Sequence, residues 1–260
     1  MSNFEVISYE KQADIAYVTL NRPQALNAYN LQMRDELYLV LGVIKDDPEV
    51  KVAIFSGAGE KAFCAGADLT EFLTAPSPVM ARQVRWERDV WGLFLSITKP
   101  LIAAVHGYVL GSGIEIALCC DIRLASEDAQ FGLPEPGLGI IPAAGGSQTL
   151  PRVTGRAKAL EILLTGRLVK AEEARRLKLV NQVVSRHDLL PAAERLANKI
   201  KSHSPIALSY SKQAITSGLD MSLEQGLELE AKLGNLLFNV NRRDLFNGGR
   251  EPGHPCRQSS

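Results

Sequence analysis

The chain has no excess of charge of either sign: 29 Lys and Arg stand against 29 Asp and Glu, for a formal net charge of +0. Without surplus cations there is no broad positive field to neutralise a phosphate backbone, so a nucleic-acid partner is not expected. Cysteine is scarce as well. Cys64, Cys119, Cys120 and Cys256 form no C-x-x-C pair and no Cys/His ligand spacing, which argues against both a zinc site and a disulfide framework. No metal is expected, and reduced cysteines in a cytoplasmic protein are. Long apolar runs are also missing. The longest, LIAAVHGYVLG from Leu101 to Gly111, is too short to cross a bilayer and carries His106. The N-terminal stretch MSNFEVISYEKQADIAYV holds Glu5, Glu10 and Asp14 and shows no basic segment followed by an apolar one, so neither a signal peptide nor a membrane partner is expected.

With 260 residues, 46% hydrophobic and 22% charged, the chain has the composition of a globular protein with one main domain and an appendage. Its first part alternates two periodicities. Asp14 to Leu20, Val52 to Phe55, Leu101 to Val105, IRLAS and AQFG read as strands. Leu31, Leu37, Val40, Leu41 and Ile44 recur at helical spacing, and Pro78 to Ile97 is long enough for five helical turns. Strands alternating with helices predict an α/β architecture around a buried sheet. Beyond about residue 156 helices dominate. Ser204-Pro205 is a helix start, and Ser222 with Gln225 forms a capping box. The helix which that box opens has apolar residues on more than one face, Leu223, Leu227, Leu229, Leu233, Leu236, Leu237 and Val240, as a helix with two partners does.

Several short stretches could carry chemistry. SGAGEKA, Ser56 to Ala62, fits G-x-G-x-x-A after a strand, but no helix and no later strand-end acid follow, so a dinucleotide site is not expected. No G-x-S-x-G elbow surrounds any serine, and His106 reads as a core histidine with its hydrogen bonds satisfied. FCAGADL, Phe63 to Leu69, sets small residues before Asp68, either as a plain capped turn or as a place where a ligand oxygen can reach the Ala67 N–H. LGSGIE, Leu110 to Glu115, opens a helix with small residues, either as a Gly-rich cap or as an anion site at the Ser112 N–H. Glu115 stands in that first turn among Ile114, Ile116, Ala117 and Leu118, where desolvation would suit it to proton transfer near neutrality. Glu135 sits in the Pro-flanked GLPEPG.

Together NRPQALNA (Asn21 to Ala28), KAFCAGADL (Lys61 to Leu69), KPLIAAVHGYVLGSGIEIALCCDIRLAS (Lys99 to Ser126), AQFGLPEPGLGIIPAAGGSQTLPR (Ala129 to Arg152) and LTGRLVKAEEARRLKLVNQVV (Leu164 to Val184) resemble the enoyl-CoA hydratase/isomerase, or crotonase, superfamily in order and spacing. The resemblance implies a crotonase-like spiral of ββα units over residues 1–200, a helical trimerisation region over 201–245, and a disordered tail over 246–260. It implies a coenzyme A thioester as substrate, no separate cofactor, and a homotrimer or a hexamer made of two trimers. It places an oxyanion hole at the amides of Ala67 and Ser112, catalytic acids at Glu115 and Glu135, and substrate contacts at Ala25, Leu26, Ala65, Gly66, Asp68, Leu69, Gly111 and Ala143.

Adding water to a conjugated thioester puts negative charge on the thioester oxygen while a proton reaches Cα. Oriented N–H donors are worth roughly 3 kcal/mol each there, and a positioned acid or base about 10²- to 10⁴-fold. By the family pattern Glu115 activates the water and Glu135 supplies the proton. The presence of both acids favours hydration over double-bond isomerisation. Three positions depart from the pattern: Ser112 where Gly is frequent, Ala143 where Gly or Asp is frequent, and NGGREPGHPCRQSS in place of the usual final helix.

Overall fold

The computed structural model describes residues 4–71 and 87–247. Among the described residues ten strands make two sheets. The larger runs β1 (Ile7–Gln12), β2 (Ile15–Leu20), β3 (Val52–Gly57), β5 (Leu101–Val105), β7 (Ile122–Ser126) and β10 (Gln182–Val184). The smaller runs β4 (Ala62–Cys64), β6 (Tyr108–Leu110), β8 (Gln130–Gly132) and β9 (Val169–Lys170). All pairings are parallel except β1 with β2 and β8 with β9. The chain therefore visits the sheets in turn: β3 then β4, β5 then β6, β7 then β8. A helix follows the second pair, α3 (Ser112–Cys119), and another follows the third, α4 (Gly146–Thr154). This is the spiral of ββα units that the resemblance implies.

Alternation along the large sheet sends neighbouring residues to opposite cores, because successive side chains of a strand point to opposite faces. Ala53 and Phe55 of β3, with Leu101, Ala103 and Val105 of β5, pack into the main core between the sheets. Val52 and Ile54, with Ile102 and Ala104, join a second core against Leu189, Ala192, Ala193 and Ala197 of α7 (Leu189–Lys201). Both faces are covered, as a parallel sheet requires. The exception explains a strand that sequence periodicity does not reveal. In β1 only Ile7 is buried, so ISYEKQ has no apolar alternation and is a strand by virtue of pairing with β2.

Helix α1 (Leu31–Asp46) starts at Asn30, whose side chain accepts the Met33 N–H at 2.9 Å. Its buried stripe is Met33, Leu37, Val40, Leu41 and Ile44; Leu31, expected in the stripe, is exposed. Glu36 shares the buried face because its carboxylate accepts the N–H groups of Glu5, Val6 and Ile7 at 2.9 to 3.0 Å, which ties the N-terminal segment down. The single helix expected from Pro78 to Ile97 is not continuous. Residues 72–86 lie outside the described residues, and α2 (Val90–Ser96) begins afresh at Asp89, whose carboxylate accepts the Gly92 N–H.

Between α4 and β10 lie α5 (Arg156–Thr165) and α6 (Ala171–Arg176). The chain divides into two compact units, one through His203 and one from Ser204. The second contains α8 (Pro205–Gly218) and α9 (Leu223–Asn247), which pack on each other. Ser204 caps α8, and Ser222 and Gln225 exchange hydrogen bonds at the start of α9 as a capping box. Leu233 is buried, whereas Leu223, Leu227, Leu236 and Phe238 stay exposed. The segment expected to be a disordered tail is outside the described residues from position 248 on.

Candidate active site

Two glycine turns meet where the spiral's first and second units adjoin. After β4 the chain turns through Gly66, at φ +105°, and after β6 through Gly111, at φ +48° and ψ −118°. A Cβ placed on Gly111 would lie 3.4 Å from the Gly66 Cα, and one on Gly66 would lie 3.4 Å from the Leu110 carbonyl oxygen. These are ordinary contact distances, and it is the positive φ at both turns that calls for glycine. The residues that follow these glycines are Ala67 and Ser112.

The first turn is fastened like a strand. Tyr29 N–H donates to the Gly66 carbonyl at 2.8 Å and Asp68 N–H to the Tyr29 carbonyl at 2.9 Å, so Tyr29 bridges Gly66 and Asp68 and leaves the Ala67 N–H facing the other way. Ala65 N–H donates to the Leu26 carbonyl at 3.0 Å. No backbone acceptor among the described residues takes the Ala67 or the Ser112 N–H. Ser112 opens α3, where first-turn amides have no intrahelical partner and the helix dipole favours negative charge.

Glu115 lies one turn into α3 and is 2% exposed. Its Oε1 accepts the N–H groups of Ala144 at 3.0 Å and Gly146 at 2.8 Å. A Cβ on Gly146 would lie 3.0 Å from that oxygen, tighter than most side-chain contacts, so glycine eases this close approach. Glu135 begins a single 3-10 turn, Glu135–Leu138, held between Pro134 and Gly139. It is 9% exposed, and its Oε2 has no hydrogen-bond partner among the described residues. Burial pushes its pKa above the ordinary carboxylate value, against the opposing pull of a hydrogen bond from its own backbone N–H. A Cβ on Gly111 would lie 2.8 Å from its Oε1, which puts Glu135 directly against the second glycine turn.

A cavity of about 430 Å³ opens at this junction, lined by Ala65, Gly66, Ala67, Leu69, Gly111 and Glu135 together with Pro134, Gly137, Leu138 and Ile140. Six residues expected from the sequence therefore share one wall. Ser112 and Glu115 are buried in α3 behind Gly111, and neither lines the cavity. Ala143 lines a second cavity of about 270 Å³ with Trp91, Leu95, Cys119, Ala144 and Thr149. Ala25 and Leu26 lie in the loop beneath Ala65, and neither lines a cavity described here. Asp68 has its carboxylate engaged by Arg22 and Thr70. The expectation of a satisfied His106 is corrected: it is buried, and its Nε2 has no partner among the described residues. Burial, with Arg186 beside it, lowers its pKa to about 4. The turn after β3 leads to a strand and not to a helix, so Ser56 to Gly59 offers no helix N-terminus to a dinucleotide. Among the described residues no group of His, Cys, Asp and Glu is arranged to hold a metal ion.

Sequence reasoning did not find Arg22, nor the amides of Ala144 and Gly146 that hold Glu115. Nothing in the local pattern marks them, because each acts on a residue at least 29 positions away.

Comparison with known proteins adds a family. The profile described as enoyl-CoA hydratase/isomerase matches residues 10–249. The chain belongs to the enoyl-CoA hydratase/isomerase family. Within it, the chain is 44% identical over 238 residues to the short-chain-enoyl-CoA hydratase of Clostridium acetobutylicum, covering 91% of each chain. It is 39% identical over 236 residues to the crotonyl-CoA hydratase of Syntrophomonas wolfei, covering 90% of each. The crystal structure of the enoyl-CoA hydratase of Bacillus anthracis superposes with a TM-score of 0.84 at 39% identity, covering 89% of this chain and 90% of that one. No helix among the described residues is long and apolar enough to cross a membrane.

Proposed function

We propose that the protein is an enoyl-CoA hydratase that adds water across the 2,3 double bond of a 2-enoyl-CoA thioester. The observation that carries this reading is Glu135: a buried carboxyl group with an unpartnered oxygen, in the same cavity wall as Gly66, Ala67 and Gly111. An acid with a raised pKa keeps its proton to higher pH and can give it to carbon.

In the proposed reaction the thioester oxygen takes the Ala67 and Ser112 N–H bonds. The water oxygen bonds to Cβ as its proton passes to Glu115, the π electrons move toward the thioester oxygen, and Glu135 delivers a proton to Cα. Water is consumed and nothing else is needed, so the reaction calls for no metal or redox cofactor. The Ala144 and Gly146 amides would hold the Glu115 carboxylate in place for that step. Support also comes from the relatives, two of which carry hydratase names at 39% to 44% identity.

The same reading assigns α8 and α9 to a homotrimer contact, supported by the exposed Leu219, Leu223, Leu227 and Phe238. Pairs of such trimers would form the hexamer.

The test is loss of the conjugated-thioester absorbance when the protein meets crotonyl-CoA, with a product heavier by one water. Replacing both Glu115 and Glu135 with Ala is expected to remove activity by at least about 10⁴-fold. A product of unchanged mass would indicate isomerisation, and full activity in the double variant would refute the assignment of the acids.

A further inference from the structure

Arg22 is a cation in the turn after β2, and nothing in its neighbourhood along the chain calls for one. In the folded protein its guanidinium joins two segments. Nη1 donates to the Ala28 carbonyl at 2.7 Å and to Asp68 Oδ2 at 3.0 Å, and Nη2 donates to the same Oδ2 at 3.0 Å. Both side chains are largely covered, at 16% and 13% exposure. The other oxygen of Asp68 accepts the Thr70 N–H at 3.1 Å and the Thr70 hydroxyl at 2.7 Å. Asp68 is thus held on both of its oxygens and, through its own N–H, by Tyr29.

We propose that Arg22 is a positioning residue for the oxyanion hole, its planar fork fixing Asp68 and through it the direction of the neighbouring Ala67 N–H. The inference rests on the thioester reading above and deepens it.

Three features separate this role from general support. First, the fold has other fastenings for the same loop: Asn27 binds the carbonyls of Ala58 and Ala62, and Glu71 accepts the Leu31 N–H at 2.7 Å. Second, Asp68 follows Ala67 directly: its N–H shares a peptide plane with the Ala67 carbonyl, and that plane is joined through the Ala67 Cα to the one carrying the Ala67 N–H, so a shift of Asp68 reaches the donor through a single residue. Third, Arg22 draws the carbonyl of Ala28, next to the Tyr29 bridge, and the carboxylate of Asp68 onto one rigid group. A lysine would present a point charge and could not reproduce the fork. Removing the fork leaves the Asp68 carboxylate charged and largely covered, with Thr70 as its remaining side-chain partner. The turn relaxes, and the Ala67 donor leaves the narrow range of distance over which an amide stabilises an oxyanion.

The experiment uses the full chain with Arg22→Gln, Asp68→Asn and the double variant. Three quantities are read: kcat and KM on crotonyl-CoA, the red-shift of the absorption band of bound cinnamoyl-CoA, and the thermal midpoint. The red-shift reports polarisation of the thioester carbonyl by its donors and does not respond to stability. Arg22→Gln is expected to lower kcat on the order of 10- to 100-fold, the scale of a displaced catalytic group. KM should change by less than about threefold, because the lost interaction belongs to the transition state. The red-shift should shrink in parallel, and the double variant should be no worse than the worse single one, since the pair acts as a unit. If Arg22→Gln does not fold, Arg22→Lys and Asp68→Asn carry the same readouts. A wild-type red-shift and kcat in these variants, with only the thermal midpoint lowered, overturns the inference and leaves a structural ion pair; so does full additivity. If the wild-type protein neither hydrates crotonyl-CoA nor shifts the bound chromophore, the thioester reading itself has failed.

Discussion

Gly111→Ala tests the site at its tightest point. The residue has φ +48° and ψ −118°, a conformation open to glycine and closed to residues with a side chain, so an alanine there costs about 1 to 3 kcal/mol of backbone strain. The new methyl group would also lie 2.8 Å from Glu135 Oε1 and 3.4 Å from the Gly66 Cα. The first neighbour is the end of a flexible side chain and gives way; the second is backbone and gives little. Strain therefore appears in stability, and the contact appears in activity, because relieving it would move Glu135, the proposed general acid, from the place the proposed reaction needs it. Displacing a general acid is expected to reduce kcat/KM on crotonyl-CoA by about 10²-fold or more. The thermal midpoint should fall by several degrees, at about 2 to 4 °C per kcal/mol for a chain of this size. Gly42→Ala is the control. Gly42 lies inside α1 with nothing within 4 Å of an added Cβ, so the substitution should leave kcat/KM unchanged and raise stability by about 0.5 to 1 kcal/mol. Steady-state kinetics and thermal melts on both variants decide the matter. Wild-type kcat/KM in a folded Gly111→Ala protein would show that the two glycine turns do not form the reacting site.

Two further outcomes follow from buried polar groups. His106 has a folded-state pKa of about 4, below its unfolded value of 6.5, so the unfolded chain takes up a proton that the folded one refuses. Its contribution is present in full above pH 6.5 and is lost as pH falls toward about 4, at up to about 1.4 kcal/mol per pH unit. The groups beside it, Arg186 and Asp128, are paired with each other at 3.4 Å. Urea midpoints measured between pH 4 and pH 7 should fall more steeply for wild type than for His106→Gln, and parallel curves would contradict this. Asn27 is fully buried; its side chain accepts the Arg22 N–H at 2.9 Å and donates to Ala58 and Ala62 at 2.9 and 2.8 Å. Asn27→Ala leaves three backbone groups without partners and is expected to destabilise by about 3 kcal/mol or more, at about 1 to 3 kcal/mol each. A chemical-denaturation difference below about 1 kcal/mol would mean that the loop finds other partners.

The sequence determines by itself those parts of this protein that depend on spacing and residue type. Val52 to Phe55 and Leu101 to Val105 are apolar runs bounded by turns, IRLAS reads as a short strand, and all three are central strands of the large sheet. The capping box at Ser222 and the α/β alternation are equally local, since each arises between residues a few positions apart. The small residues of FCAGADL and LGSGIE announce close approach of backbone, because glycine at a turn has few other uses. Folding decides the rest. The three-residue strands β4 and β6 are too short for a periodicity to persist, and they are strands because a neighbour supplies their hydrogen bonds. Arg22 finds Asp68 at a separation of 46 positions, and Glu115 finds Ala144 and Gly146 at 29 and 31. Composition can say that an acid or a cation exists. Which oxygen is held, which is left without a partner, and which amide stays free to meet a substrate are settled only when the spiral brings distant turns into contact, because hydrogen bonds act over about 3 Å and take no account of distance along the chain.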